Sequence, residues 1–202
     1  MARYVPHALQ EHVETQIERI GEKDFFSKPG HNRLQEMWCA ARFGMGYGNN
    51  IAACQIEIED RDEQNDYDFH LCIGSARLPF QVAEALDLKR HRGDEYHNQN
   101  EEQLNGLQHQ AYMGDSTYAA MRVREALQKK IKKHYANPER LHMLIYLNAN
   151  ASAAAWPALV EFAGKEAKTF ASTWVVTDDL LCCIYGGETW HGPAGWKRID
   201  ES

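Results

Sequence analysis

The chain has 202 residues, 44% of them hydrophobic and 25% charged, and carries a formal net charge of −7 at pH 7. That length suits one well-filled core, and net acidity argues against a protein that coats nucleic acid by bulk charge. No apolar run reaches the length of a membrane span, and the opening MARYVPHALQEHVETQIERI lacks the basic cap and apolar centre of a secretory signal. The expectation is a single-domain cytoplasmic protein without a membrane partner. The five cysteines, Cys39, Cys54, Cys72, Cys182 and Cys183, include no C-x-x-C pair, which argues against a zinc ribbon or a disulfide framework. All but Cys39 fall in runs that read as buried strands, and adjacent Cys182 and Cys183 read as the two faces of one strand.

From His7 to Ile20, the residues Leu9, Val13, Ile17 and Ile20 recur at spacings of three and four, the mark of an amphipathic helix. This helix makes residues 1–30 an N-terminal helical extension, closed by the breaker-rich GEKDFFSKPGHN. Asn32 is a candidate N-cap for a second helix, RLQEMWCAARFG, with Leu34, Met37, Trp38 and Phe43 on its apolar stripe, and Gly44, Gly46 and Gly48 are expected to end it. Three strands follow: IAACQIEIE, YDFHLCIG and PFQVAEAL. The acidic EDRDEQND between the first two lacks the Gly and closing Glu of an EF-hand loop and reads as a solvated hairpin tip. GSARLP, the second connection, is turn-like, and Pro79 fits the start of the third strand.

Residues 87–116 form a polar excursion in which His91, His97 and His109 lack the i, i+4 spacing of a helical metal pair. Asp115 or Ser116 caps the next helix, TYAAMRVREALQKKIKKHY, whose stripe is Ala120, Val123, Leu127 and Ile131. Arg122, Arg124, Lys129, Lys130, Lys132 and Lys133 crowd its remaining surface; cations there complement the helix C-terminus, or contact phosphate. LHMLIYLN is apolar throughout and predicts a strand covered on both faces. A helix with Pro157 in its first turn, then the strands STWVV and LLCCIYG, complete the core. The tail, residues 186–202, reads as Gly-rich coil, with Trp190 and Trp196 as candidate anchors of a homo-oligomer contact. This order predicts an α/β fold with a central mixed sheet, an antiparallel three-stranded meander and helices on both faces.

Asp68 at the start of the second strand, with Gln81 and Glu84 on the third, marks one sheet end as a candidate site for a divalent metal. The constellation resembles the restriction-endonuclease-like superfamily, the PD-(D/E)XK nucleases. In that family a Glu-bearing helix precedes a meander, an Asp opens the second strand, an acid-x-Lys occupies the third, and a basic helix leads to a buried strand. Here the matching positions are Glu36, Tyr67-Asp68, Gln81-Val82-Ala83 and Lys129 to Lys133, and the likeness runs as an order of elements from about Asn32 to Tyr185. It implies magnesium-dependent cleavage of DNA phosphodiesters, with Asp68, Glu36 and Glu84 as metal ligands and Asp68, Gln81, Glu84 and Lys129 as catalytic residues. Nucleic-acid contact would fall to Lys89, Arg90, Arg92, Lys129, Lys130, Lys132 and Lys133.

Gln81 stands where the family has an acid and Ala83 where it has the lysine. Two substitutes are available: Glu84, which strand alternation puts on the opposite face unless a bulge intervenes, and Lys129, Lys130 or Lys89 reaching in from a helix. The alternative expectation is a non-catalytic nucleic-acid-binding or protein-interaction module with the same fold. No G-x-S-x-G, P-loop or G-x-G-x-x-G supports a serine hydrolase or a nucleotide-binding enzyme.

Overall fold

The architecture follows from strands that are apolar on both faces. In the computed structural model, which describes residues 2–21, 24–25, 29–58, 66–85, 116–147, 156–186 and 195–200, the run HMLIYL forms β5 (His142–Leu147). Leu144 and Tyr146 belong to one core cluster, and Met143, Ile145 and Leu147 to a second. Two apolar faces must both be kept from water, so helices cover the sheet on either side.

The elements run β1 (Ala2–Tyr4), α1 (Pro6–Ile20), α2 (Asn32–Asn50), β2 (Gln55–Ile58), β3 (Phe69–Ile73), β4 (Ala76–Ala85), α3 (Ser116–Ile131), β5, α4 (Trp156–Ala167), β6 (Ser172–Val176), β7 (Leu180–Tyr185) and β8 (Gly195–Arg198). All eight strands lie in one mixed sheet in chain order, parallel from β4 to β6 and antiparallel elsewhere. Leu9 and Val13 of α1 and Phe43 of α2 share the first cluster; Val123 and Leu127 of α3 and Leu159 of α4 share the second. The two helices that carry the chain between parallel strands, α3 and α4, thus lie on one face, and α1 and α2 on the other. Among the described residues no helix is long and apolar enough to cross a membrane.

The α/β class, the mixed sheet, both-face burial of β5 and Pro157 in the first turn of α4 agree with the sequence reading. All five cysteines are buried, with Cys182 in one cluster and Cys183 in the other. Other expectations are corrected. Helix α2 does not stop at its glycines but continues to Asn50, and His31, not Asn32, occupies its N-cap position. A Cβ on Gly44 would sit 3.0 Å from Ile56 and from the Pro6 ring, and one on Gly46 would sit 3.1 Å from Leu181, so these glycines let α2 lie close on α1 and the sheet. The third strand starts at Ala76, after a tight turn with Gly74 at φ 55°, and Pro79 lies within it. Pairing of β4 with β5 begins only at Phe80, so at Pro79 the missing N–H costs no bond to β5.

Two strands escaped the sequence reading. Ala2–Tyr4 pairs with β2, and part of the expected C-terminal coil forms β8 on β7, followed by fully buried Ile199. Trp196 packs against the second cluster instead of standing exposed as an oligomer anchor. Trp190, most of the acidic hairpin tip, and residues 87–115 with their histidines lie outside the described residues.

Gly44 and Gly48 provide an internal comparison, because a Cβ on Gly48 meets nothing within 4 Å. Gly48→Ala should stabilise the fold by roughly 0.5–1 kcal/mol through helix propensity. Gly44→Ala should destabilise it by about 1–2 kcal/mol, since overpacking against buried Ile56 and the rigid Pro6 ring outweighs the same gain. Urea denaturation of the two variants measures both; equal midpoints would show that packing at Gly44 is not tight.

Candidate functional site

Asp68 sits just before β3, where its N–H donates to the Phe80 carbonyl oxygen at 2.7 Å and ties it to β4. Along β4, Phe80 and Val82 pack toward α1 and α2, whereas Ala83 and Ala85 pack toward α3 and α4; Gln81 shares the latter face by alternation. One Asp68 carboxylate oxygen, Oδ2, accepts hydrogen bonds from the Val82 N–H at 2.7 Å and from the Gln81 side-chain amide. From the first turn of α2, the Arg33 guanidinium donates to the Asp68 carbonyl oxygen at 2.8 Å and pairs with Glu36 at 3.3 Å. Two elements of the sheet and one helix therefore bring Glu36, Asp68 and Gln81 to one corner.

The cation at this corner comes from α3. Lys130 is half-buried, interacts electrostatically with Asp68 and Glu36, and has no direct ion-pair partner among the described residues. Burial pulls its ammonium down to about 8; Lys133 pushes the same way, while Asp68 and Glu36 resist. The same burial raises the Asp68 carboxyl above its ordinary value, against the Val82 N–H, Lys130, Arg33 and Gln81, which favour the ionised form. Opposite shifts in an acid and a neighbouring base have one origin here, a poorly solvated corner that disfavours charge of either sign.

Lys129, the lysine expected to be catalytic, is exposed. One residue along a helix turns a side chain by about 100°, and Lys130 lies three residues beyond fully buried Leu127 and seven beyond Val123, on the buried stripe. Glu84 does not join Asp68 and Gln81. The β4–β5 register runs unbroken from Phe80 to Ala85, so Glu84, opposite Tyr146, shares the α1/α2 face with Phe80 and Val82. No bulge supplies the exception that would have turned it.

Lys132 and Lys133 are exposed along with Lys129. Arg122 and Arg124 are committed within the fold, to Glu125 at 2.7 Å and to Glu166 at 2.8 Å. Lys89, Arg90 and Arg92 lie outside the described residues.

Two further groups border the corner. After α3, His134 adopts φ 53°, rare for a residue with a side chain, and turns the chain. Tyr135, next in line, packs edge-on to Phe170 at 6.4 Å, and its buried hydroxyl has no hydrogen-bond partner among the described residues. Burial, then Asp68 and Asp66, raise this phenol to about 12. Asp66 accepts the Ala136 N–H at 3.5 Å. The sequence reading carries the helix through Tyr135, but α3 ends at Ile131, and nothing in HYANPER marks the tyrosine as a site residue.

Among the described residues no three His, Cys, Asp or Glu side chains group as a metal centre. Oxygen donors are present nonetheless: Asp68 Oδ1 and Gln81 Oε1 have no hydrogen-bond partner among the described residues, and Glu36 lies near. An all-oxygen set with one or two carboxylates suits magnesium, which fills its shell with water and substrate phosphate. The polar cluster at the start of β5, on the sheet face that carries Phe80, is different in kind. There a cavity of about 580 Å³ is lined by Phe80, Arg140, His142, Ser172 and Trp174, but His142 Nδ1 meets Ser172 Oγ at 2.6 Å and Trp174 Nε1 donates to the same oxygen at 2.9 Å. Burial lowers His142 to about 4, so it is neutral and its bonding is internal. Comparison with known proteins yields no matching family model, no matching curated protein and no matching solved structure.

The burial of Lys130 has a measurable sign. Its amine should titrate near pH 8 in the folded protein, followed by NMR of the side-chain carbon next to the amine. Because the folded value lies below the ordinary value of 10.5, the unfolded chain holds more protons between the two, and this group makes stability rise with pH over that window. In Asp68→Asn the lysine should titrate lower still, since a charge that favours its ammonium is gone. An unchanged value would mean that Lys130 and Asp68 do not face each other.

Proposed function

We propose that this chain is a magnesium-dependent nuclease-like protein of restriction-endonuclease-like fold, acting on DNA phosphodiesters at the Asp68 corner. The observation that carries the reading is Lys130, a half-buried amine without an ion-pair partner among the described residues, beside Asp68 and Glu36. It supplies from a helix the cation that Ala83 does not supply from β4. The order of elements adds support: a helix bearing Glu36, antiparallel β2, β3 and β4, a basic helix, and β5 parallel to β4.

On this reading Lys130, with a value of about 8, is partly free amine near neutral pH and takes a proton from water. The water oxygen then bonds to phosphorus, the bond from phosphorus to the ester oxygen breaks, and that oxygen leaves with a proton from solvent. Asp68 Oδ1, Gln81 Oε1 and Glu36 would hold magnesium, which when bound neutralises charge developing on the phosphate. Gln81 and the Val82 N–H fix the Asp68 carboxylate through its other oxygen.

Plasmid nicking with magnesium or manganese tests the proposal. Asp68→Ala should abolish nicking, Lys130→Met should slow it by about 10²- to 10⁴-fold, and Lys129→Met should leave it nearly unchanged. The wild-type rate should climb with pH and level off above about 8, as the free amine becomes the main form. Equal nicking by wild type and Asp68→Ala would mean a contaminating enzyme and would end the proposal.

A second reading, DNA binding without cleavage, draws on Ala83 and Gln81 standing where the family has its lysine and acid, and on the exposed Lys129, Lys132 and Lys133. It expects salt-dependent retention of DNA. Changing those three lysines to Gln should lower the slope of log affinity against log salt by about 3, close to one unit for each phosphate that a lysine no longer neutralises. Retention and slope both unchanged would remove this reading.

A further inference from the structure

The Tyr135 hydroxyl is a strong hydrogen-bonding group, buried at the Asp68 corner, that spends its donor on nothing in the described protein. Buried polar atoms are almost always partnered, and an exception marks a group whose partner is something else. Its position is specified, not incidental. His134 takes a left-handed conformation, uncommon for a residue with a side chain; the Ala136 N–H reaches Asp66 at 3.5 Å on one side, and the Tyr135 ring packs on Phe170 on the other. Asp66 and Asp68, from the segment before β3, lie within electrostatic reach of this phenol, and Lys130 of α3 lies within reach of the same Asp68. A phenol held neutral near two carboxylates can donate where a second cation would be tied down by the acids.

We propose that Tyr135 is a further substrate-contacting residue of this corner, donating its hydroxyl hydrogen bond to a non-bridging oxygen of a bound phosphate. The inference rests on the Asp68 corner being a phosphate site, and extends it with a recognition element that is neutral and comes from the chain beyond α3. Such a donor strengthens as negative charge builds on that oxygen, so it acts on the chemical step more than on binding.

Two measurements keep the inference and the nuclease reading separable. In the first, wild type, Tyr135→Phe and Asp68→Ala are compared in plasmid nicking with magnesium. Tyr135→Phe should melt no lower than wild type, because only an unpartnered hydroxyl is removed, and should lower kcat by about 10- to 100-fold with little change in KM. In the second, the protein is labelled at tyrosine Cζ and titrated with inorganic phosphate by NMR. One resonance, absent from Tyr135→Phe, should shift. If wild type nicks DNA and Tyr135→Phe nicks equally well, Tyr135 is a packing residue and the inference is wrong while the nuclease reading stands. If wild type does not nick but the resonance shifts with phosphate, the cleavage reading fails and Tyr135 stands as an anion contact. A protein that neither nicks nor shifts loses both.

Discussion

A carboxylate taken out of water at the junction of β3 and β4 is the constraint around which this molecule is arranged. Removing an ion from water costs several kcal/mol in a real protein interior unless donors and opposite charge replace the lost hydration. For Asp68 the replacements come from the Val82 N–H and the Gln81 amide on β4, and from the charge of Lys130 on α3, with Arg33 of α2 bound to its carbonyl oxygen. They come from three elements, β4, α3 and α2. The corner is satisfied only when α2, β3, β4 and the chain returning through α3 all meet there, and that chain can return only by crossing from β4 to parallel β5 on the α3 face.

Much of this frame is written in local patterns. The unbroken apolar run of β5 and the adjacent cysteines of β7 each report a strand with two apolar faces, and the stripe in α3 reports which of its sides faces the sheet. Those signals are dense because a sheet covered on both faces constrains every residue of its central strands. Elements at the sheet's edges carry less. Three residues of β1 are too few to show a period, and β8 exists because β7 offers it an edge, a tertiary fact absent from GWKR itself. The glycines of α2 misled for a related reason. Glycine weakens a helix by raising the entropy cost of ordering the backbone, but at Gly44 the space between Ile56 and Pro6 is the larger effect, and it appears only once the helix is docked.

The corner divides along the same line. Asp68 and Gln81 were legible from strand alternation and position. Glu84 was ruled off their face by that rule, and the unbroken β4–β5 register gives no reason to set it aside. Choosing between Lys129 and Lys130 required only the phase of α3, since Leu127 and Val123 already mark the inward side. Tyr135 could not have been found this way. Its placement depends on a left-handed residue at position 134, and a single histidine does not say where the ring that follows it will pack.

Ala83 and Lys130 are best understood as one arrangement. Ala83 shares its core cluster with Ala119, Ala120 and Ala126 of α3, small side chains on the helix that covers β4. A lysine at position 83 would need that space for its own stem, and the helix would have to stand farther off. With alanine there, the helix comes near enough for a side chain on its inward stripe to bring an amine beside Asp68. On the proposed reading, catalysis asks for a positive or proton-accepting nitrogen at a point in space, and the element that carries it is secondary. On that reading, an alanine at position 83 and an inward lysine at position 130 are two parts of one packing arrangement.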